Sequence, residues 1–413
     1  MPPKRTLNPP SIFDQVSVQE TFEELKIRPQ HLHNLYSHLI NRSTTDFDDI
    51  VDFPKKAKEH LLQNYVLSTS KVIHKKESKS GDTIKLVVRL QDGLEVESVI
   101  MFYEPLSFKP TPEAEENEEN PSEPGTKPKL VADGISRRAT LCISSQVGCQ
   151  MACTFCATGT MGIQGSLTAA EIIEQLMHAK KEADIRNVVF MGMGEPLNNY
   201  KSVSQAVSLM IDPRYFGLKP SRVTVSTVGI IPYILKLATD LPKVSLALSL
   251  HAPNQEVREK LVPSARQYRM DKLMGAIDTY QEKTGNKVFI EYVLLSGVND
   301  LPEHIHELGE LLKHRNVTVN LIPWNPIYSP EIEFSAPKME SIINFKNILK
   351  SEYNIRCTVR QEKGQDVSGA CGQLVLETQA ERKNKGDCST ADIEDLMSPG
   401  TKEVSAAPQC NIQ

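Results

Sequence analysis

The stretch Cys149-Gln150-Met151-Ala152-Cys153-Thr154-Phe155-Cys156 places three thiols on one short loop. Three thiolates can hold three irons of a [4Fe-4S] cluster and leave the fourth iron open to a small molecule. Structural zinc sites usually combine a Cys-x2-Cys pair with a second, distant pair, and the remaining cysteines show no such pair. The spacing therefore favours a cluster with an open iron, with a zinc loop or three incidental thiols as the alternatives.

Length and composition limit the classes of protein to which the chain can belong. Its 413 residues suffice for a catalytic domain of barrel size and a smaller domain, and 39% of them are hydrophobic. No apolar run approaches the roughly 20 residues that span a bilayer, and the N-terminus lacks an apolar signal region. Eight cysteines are too few for a disulfide scaffold. We therefore expect a cytoplasmic protein that does not enter a membrane.

Charge is distributed unevenly along the chain, whose net charge is −5. Residues 113–123 carry six glutamates and no lysine or arginine. Outside this stretch and the acidic C-terminal tail the chain is modestly basic, which is compatible with a local surface for phosphates. An ordinary solvated surface explains the same balance.

Composition and periodicity divide the chain into five segments. Residues 1–68 are predicted to form a helical accessory domain, and residues 69–105 a short antiparallel β segment. Residues 106–130 form an acidic insert that, like the tail at 379–413, has too little apolar surface to fold, so both are predicted to be disordered. The remaining segment, 131–378, alternates regularly between strand and helix patterns.

Six strand–helix units in that segment predict an α/β fold with a parallel sheet and helices outside it. The predicted strands are 139–144, 187–191, 222–227, 243–249, 287–294 and 317–322, and the predicted helices are 168–183, 201–211, 231–239, 271–283, 302–314 and 337–350. Six units rather than eight favour a partial (β/α)6 barrel, and a doubly wound sheet is the alternative. The run Thr168-Ala169-Ala170-Glu171 predicts a capping box at the start of the first of these helices.

Polar motifs stand where the predicted strands end, which is where the chemistry of barrels collects. The cysteine loop follows the first strand, and Gly192-Met193-Gly194-Glu195-Pro196 follows the second. Ser226 ends the third, Ser249-Leu250-His251 the fourth, and Trp324-Asn325-Pro326 follows the sixth. These motifs are therefore expected to meet at one edge of the sheet.

Several segments together resemble one family, the bacterial-type dual-specificity RNA methyltransferases of the radical S-adenosylmethionine (SAM) superfamily. They are residues 138–149, 192–196, 249–253, 320–326 and 369–374. The resemblance extends over approximately residues 20–378. A sister family methylates C-8 of the same adenine, and the stretch Ser144-Ser145-Gln146-Val147-Gly148 looks more like the branch that methylates C-2.

The resemblance implies a partial (β/α)6 radical SAM barrel with a helical N-terminal domain, a [4Fe-4S] cluster and SAM as cofactors. It implies methylation of adenine C-2 in large-subunit rRNA and in tRNA, by a monomer that receives electrons from a donor such as flavodoxin or ferredoxin. One SAM methylates a cysteine, and a second is cleaved to a radical that takes a hydrogen atom from that methyl group. The resulting protein–RNA thioether then needs a base and a second thiol for its resolution.

The resemblance also assigns roles to residues of this chain. The cluster ligands are Cys149, Cys153 and Cys156, and the SAM contacts are Gly194, Glu195, Ser226, Ser249, Leu250, His251 and Asn325. Cys371 matches the methyl-carrying cysteine, Cys142 the resolving cysteine and Glu97 the general base.

Without the resemblance, ordinary structural roles account for several of these residues. Cys142 in a strand would be a small core side chain, Glu97 a surface residue and His251 a polar strand end. Phosphate contacts are not placed by residue; Arg137, Arg138 and Arg360 are candidates.

Two other functions remain open. One is a radical SAM enzyme with a different acceptor, adenine C-8 included. The other is a non-catalytic RNA-binding or iron–sulfur electron-transfer protein, which would need neither Cys142 nor Cys371.

Overall fold

The computed structural model describes residues 5, 7–41, 49–50, 52–103, 138–327, 334–360 and 363–374. The predicted acidic insert, the predicted tail and Arg137 lie outside the described residues. Across the described part of the chain, no helix has the length and apolar character needed to cross a membrane.

In the described part of the chain, twelve strands form two sheets. They are β1 Lys71–Glu77, β2 Thr83–Arg89, β3 Glu95–Tyr103, β4 Arg138–Cys142, β5 Gln146–Gly148, β6 Ile163–Ser166, β7 Ile185–Phe190, β8 Val223–Thr227, β9 Ser245–Ser249, β10 Val288–Leu294, β11 Val317–Pro323 and β12 Arg356–Val359. Ten of them form one sheet in the order β1-β2-β3-β4-β7-β8-β9-β10-β11-β12, while β5 and β6 form a separate hairpin.

The helices are α1 Gln15–Glu24, α2 Gln30–Asn41, α3 Lys55–Asn64, α4 Ala157–Thr160, α5 Ala169–Lys180, α6 Tyr200–Ile211, α7 Ile231–Asp240, α8 Gln255–Leu261, α9 Met270–Thr284, α10 Pro302–Leu312 and α11 Met339–Ser351. The predicted capping box is present at α5, where Thr168 accepts from the backbone N–H of Glu171 and the Glu171 carboxylate accepts from that of Thr168. This exchange satisfies two donors that a helix start leaves without partners.

Parallel pairing runs from β4 through β7, β8, β9, β10 and β11 to β12. The partial barrel that the alternation predicted is therefore confirmed, with a parallel strand beyond the six expected. That strand, β12, is four residues long and has an exposed Arg356 and a half-buried Thr358. Its pattern is too short and too polar to predict a strand from the sequence.

The antiparallel strands continue the barrel sheet. β3 pairs with β2 on one side and with β4 on the other, so that Val99 lies opposite Cys142. The strand that carries Glu97 is thus the direct neighbour of the first barrel strand, which brings Glu97 near the edge where the motifs collect.

Helices α1 to α3 pack onto the hydrophobic core that the barrel helices also share. The ring of Tyr36 on α2 meets that of Tyr215 edge-on, with centroids 5.4 Å apart. The hydroxyl of Tyr215 lies 2.6 Å from Nδ1 of His33. The division of the chain into an accessory domain and a barrel domain stays a prediction.

Candidate active site

One cavity opens at the C-terminal ends of the parallel strands, and most of the residues predicted for cofactor binding line it. Its walls include Cys149, Cys153, Cys156, Gly194, Glu195, Ser226, Ser249, His251, Asn325 and Cys371. Leu250, Cys142 and Glu97 are not among the lining residues. The motifs that stand far apart in the sequence therefore meet in one place, as expected of the strand ends of a barrel.

The cysteine loop begins at a position that requires glycine. Gly148 has φ +74°, and a Cβ added there would lie 1.9 Å from the carbonyl oxygen of Gly162. This close approach belongs to the β5–β6 hairpin, in which the Cys149 N–H donates to that same oxygen at 2.8 Å. The end of the loop is held as well, because Thr154 N–H donates to the carbonyl of Leu261 at 3.0 Å. The loop is thus fixed at both ends by backbone hydrogen bonds.

The three thiols of this loop suit a cluster. Burial raises the pKa of Cys149 to about 12 and raises the pKa of Cys153 and of Cys156 as well. Buried thiols of this kind lose their protons when metal displaces them. In the described part of the chain no three His, Cys, Asp or Glu side chains are placed to hold a single metal ion. Thiols that share a cavity without converging on one point are compatible with a cluster, in which each thiolate binds a different iron.

Gly194 and Glu195 form a backbone-lined wall of the cavity. Gly194 has φ +95°, and an added Cβ would lie 2.5 Å from the side chain of Gln146. Glu195 is buried, and its two carboxylate oxygens accept from the backbone N–H groups of Leu197 and Val228, both at 2.9 Å. Burial raises the pKa of Glu195 to about 7 despite these bonds. Because a carboxylate oxygen can accept more than one hydrogen bond, Glu195 can also receive donors from a ligand.

The ends of β8 and β9 bring Ser226, Ser249 and His251 together. The two serine hydroxyls lie 3.2 Å apart. His251 has φ +60°, and its Nδ1 accepts from the Val293 N–H at 3.1 Å, so Nε2 carries the proton. Burial, assisted by Arg258, lowers the pKa of His251 to about 3. A neutral imidazole with a fixed tautomer is suited to donating one hydrogen bond to a ligand.

Unlike Ser249 and His251, Leu250 does not line the cavity, because its side chain is fully buried in the core. Its backbone groups are also hydrogen-bonded within the protein. The N–H donates to the carbonyl of Glu291 at 3.1 Å, and the carbonyl accepts from Arg258 Nε at 3.1 Å.

Arg258 is a functional residue that the sequence reasoning missed. It lies on α8 with no exposed surface and donates to the carbonyls of Leu250, Ser249 and Val228, at 3.1, 3.3 and 2.5 Å. Burial lowers the pKa of Arg258 to about 10. One buried cation thus fixes the ends of β8 and β9. The sequence shows only that this arginine stands two residues after Glu256, in a short stretch between two prolines, and this pattern does not indicate a buried side chain.

Cys371 reaches the cavity on a segment that is bonded to the cysteine loop. The carbonyl of Gly372 accepts from the Ala157 N–H at 2.8 Å, directly after Cys156. The carbonyl of Cys371 accepts from the side chain of Asn325 at 3.0 Å. The predicted methyl carrier therefore stands against the predicted cluster ligands.

Cys142 ends β4 behind this wall and is buried. Burial, and next the nearby Cys371, raise the pKa of Cys142 to about 12. The described cysteines, Cys142, Cys149, Cys153, Cys156, Cys357 and Cys371, all carry free thiols. Cys357 lies buried on β12, away from the cavity-lining residues.

Glu97 is buried on β3 and pairs with a residue that the sequence reasoning missed. Lys85 Nζ lies 2.7 Å from Glu97 Oε1, and the side chains are 7% and 2% exposed. The alternative of a surface role for Glu97 is therefore wrong.

A polar network across β10, β11 and β12 was also missed. Thr358 donates to the side-chain oxygen of Asn320 at 2.6 Å, and the amide of Asn320 donates to Glu291 at 2.8 Å. The other carboxylate oxygen of Glu291 lies 3.9 Å from Arg360. Glu291 and Arg360 both line the cavity, so Arg360 is not an ordinary surface charge, and its contact with phosphate stays a prediction.

The chain is similar to a protein superfamily, to named RNA methyltransferases and to a solved methyltransferase structure. The radical SAM superfamily matches residues 143–312. The chain is 40% identical over 335 residues to ribosomal RNA large subunit methyltransferase N of Nitrosopumilus maritimus, an alignment that covers 80% of this chain and 87% of that protein. It is 36% identical over 368 residues to dual-specificity RNA methyltransferase RlmN 1 of Myxococcus xanthus, covering 88% and 92%. A crystal structure of a radical SAM methyltransferase from Sphaerobacter thermophilus has a TM-score of 0.75 and 33% identity, and covers 89% of this chain and 100% of that one.

Proposed function

We propose that this chain, which belongs to the dual-specificity RNA methyltransferase family of the radical SAM superfamily, methylates C-2 of adenine. The proposed substrate is large-subunit rRNA, tRNA or both. Adenine C-2 lies between two ring nitrogens and is electron-poor, so it does not attack the methyl group of SAM directly. When bound, the cluster and SAM supply a carbon radical that takes a hydrogen atom from a methyl group.

Two sets of residues would hold these cofactors. Cys149, Cys153 and Cys156 would ligate the [4Fe-4S] cluster and leave one iron for SAM. The residues proposed to contact SAM are Gly194, Glu195, Ser226, Ser249, Leu250, His251 and Asn325. For Leu250 the contact is limited to the second lone pair of its carbonyl oxygen, because its side chain is in the core and its N–H is bonded to Glu291. The electrons would come from an external donor such as flavodoxin or ferredoxin.

The two remaining thiols of the site have different proposed roles. Cys371 carries the methyl group and becomes linked to the base through a thioether. Glu97 takes the C-2 proton, and the one unpaired electron of the adduct would return to the cluster, which leaves a closed-shell thioether. The thiolate of Cys142 then attacks the sulfur of Cys371: a sulfur–sulfur bond forms, the carbon–sulfur bond breaks, and its electron pair goes to the methylene carbon, which takes up a proton. The transient Cys142–Cys371 disulfide is returned to two thiols by an external thiol reductant.

One observation carries the proposal. Cys371 opens into the cavity that the three cluster thiols line, while Cys142 lies near enough to Cys371 for the two thiols to interact electrostatically. An electron carrier or a passive RNA-binding protein has no use for two further thiols at this position.

The test compares two alanine variants incubated with RNA and SAM and separated on a denaturing gel. Cys142→Ala should remain covalently attached to nuclease-sensitive RNA, because its thioether is not resolved, whereas Cys371→Ala should carry no RNA. Mass spectrometry of the nucleosides should place the new methyl group on C-2. Both variants methylating adenine at the wild-type rate would disprove the mechanism, and a methyl group on C-8 would assign the reaction of the sister family.

A further inference from the structure

Lys85 is a buried cation in the middle of β2. Its Nζ contacts Glu97 Oε1 at 2.7 Å and donates to the carbonyl oxygen of Ser368 at 3.3 Å. One ammonium group therefore joins the proposed general base to the segment that carries Cys371.

Strand register explains why these groups meet. β2 and β3 pair Lys85 with Val99 and Val87 with Glu97, so Lys85 and Glu97 are diagonal neighbours on one face of the sheet. Val99 lies opposite Cys142 across β3 and β4, which places Cys142 on the same face. Lys85, Glu97 and Cys142 thus share one surface of the barrel.

The segment 363–374 lies against this face. A Cβ added to Gly369 would lie 3.5 Å from the side chain of Val99. Ser368 has φ +51°, a left-handed conformation that costs a non-glycine residue free energy unless its surroundings hold it. The hydrogen bond from Lys85 to its carbonyl is one such restraint, located three residues before Cys371.

A buried ion pair often adds little net stability to a fold, because well-packed apolar residues at the same positions often stabilise it as much or more. Lys85 and Glu97 occupy positions that apolar β-branched side chains would fill without desolvating two charges. The pair therefore points to a requirement of the site.

We propose that Lys85 is a positioning residue for the methylation reaction: anchored on the carbonyl of Ser368, it orients the Glu97 carboxylate. The inference rests on the proposed function. In the step concerned, the C-2–hydrogen bond breaks, the proton goes to the carboxylate of Glu97 and the electron pair stays on the purine. Lys85 touches neither RNA nor SAM in this scheme, so its loss affects this step and leaves methyl loading alone.

The experiment uses the cluster-loaded enzyme with RNA and SAM and measures two quantities for each variant. The first is the extent of Cys371 methylation, by peptide mass. The second is the rate at which the covalent protein–RNA adduct disappears. In Lys85→Met, methylation of Cys371 should match the wild type while adduct release slows on the order of tenfold, as it also should in Glu97→Gln. Lys85→Arg should restore most of the rate, and Lys71→Met, on the exposed edge strand of the same sheet, should release RNA normally.

The double variant Lys85→Met, Glu97→Gln distinguishes a positioning role of Lys85 from a folding defect. It removes both charges, so neither charge is left buried without its partner. It should release RNA at the rate of Glu97→Gln alone, because Lys85 acts through Glu97. A double variant about tenfold slower than Glu97→Gln, or a Lys85→Met protein that releases RNA at the wild-type rate, would overturn the proposal. So would a Lys85→Met protein that loses Cys371 methylation in parallel with release. A Cys142→Ala protein that never traps RNA would instead refute the underlying function.

Discussion

The side-chain amide of Asn325 donates to the carbonyl oxygen of Cys371 at 3.0 Å, and its side-chain oxygen accepts from Gln365 at 2.8 Å. Asn325 follows β11, whereas Cys371 and Gln365 belong to the segment after β12. The loop beyond β11 therefore holds the proposed methyl carrier in place over the cavity.

Removal of that hydrogen bond should slow methyl loading. Asn325→Asp keeps the size of the side chain but places an oxygen against the carbonyl of Cys371, which repels it. We expect methylation of Cys371, measured by peptide mass, to slow on the order of tenfold while the iron content stays at the wild-type level. The matched control is Asn344→Asp on the exposed face of α11. Equal loading in both variants would show that the Asn325 contact is dispensable.

The cluster should depend on each of its three proposed ligands. Changing any one of Cys149, Cys153 and Cys156 to alanine leaves two thiols on the loop and no spare cysteine there to replace the lost ligand, so iron and sulfide should not assemble and SAM should not be cleaved. Iron and sulfide analysis after anaerobic reconstitution measures this. Cys357→Ala, which removes a buried thiol on β12, should bind a normal cluster. A complete four-iron cluster in any of the three loop variants would refute the assignment.

The strand–helix alternation of residues 139–350 was predictable because each strand is a short apolar run and each helix has its own periodicity. Cys149, Glu195 and His251 were predicted as neighbours because parallel strands align their C-terminal ends. Lys85 and Arg258 were not predictable in this way. Each makes its contacts with residues on other elements of the fold, which the sequence does not place beside it. A lysine within a strand or an arginine within a seven-residue helix is ordinarily a solvated side chain.

Arg258 should stabilise the ends of β8 and β9, which are proposed to contact SAM. Arg258→Met removes the donor of the buried Leu250 carbonyl and of the half-buried carbonyls of Ser249 and Val228, and an unsatisfied buried acceptor costs about 1–3 kcal/mol. We expect the free energy of unfolding to fall by about 3 kcal/mol and SAM affinity to fall with it. Denaturant unfolding and equilibrium binding of SAM measure these effects. Arg266→Met, whose side chain is 74% exposed in the wild type, is the control and should change neither. An Arg258→Met protein as stable as this control would contradict the role given to Arg258.

His178 should make the fold sensitive to acid. It is buried on α5, where its Nε2 lies 3.1 Å from the Ser70 hydroxyl that donates to Glu174. Burial lowers the pKa of His178, and the charge of Glu174 opposes this only in part. The unfolded chain therefore takes up a proton at a higher pH than the folded protein does, so stability is full above the usual histidine pKa of about 6.5 and declines below it. The slope for one proton is at most about 1.4 kcal/mol per pH unit.

The His178→Gln variant should therefore lose less thermal stability than the wild type when the pH falls from about 7.5 to about 5.5. The control is His314→Gln at an exposed site, which should lose as much thermal stability as the wild type. Identical losses of melting temperature in wild type and His178→Gln would show that this histidine is protonated equally in both states.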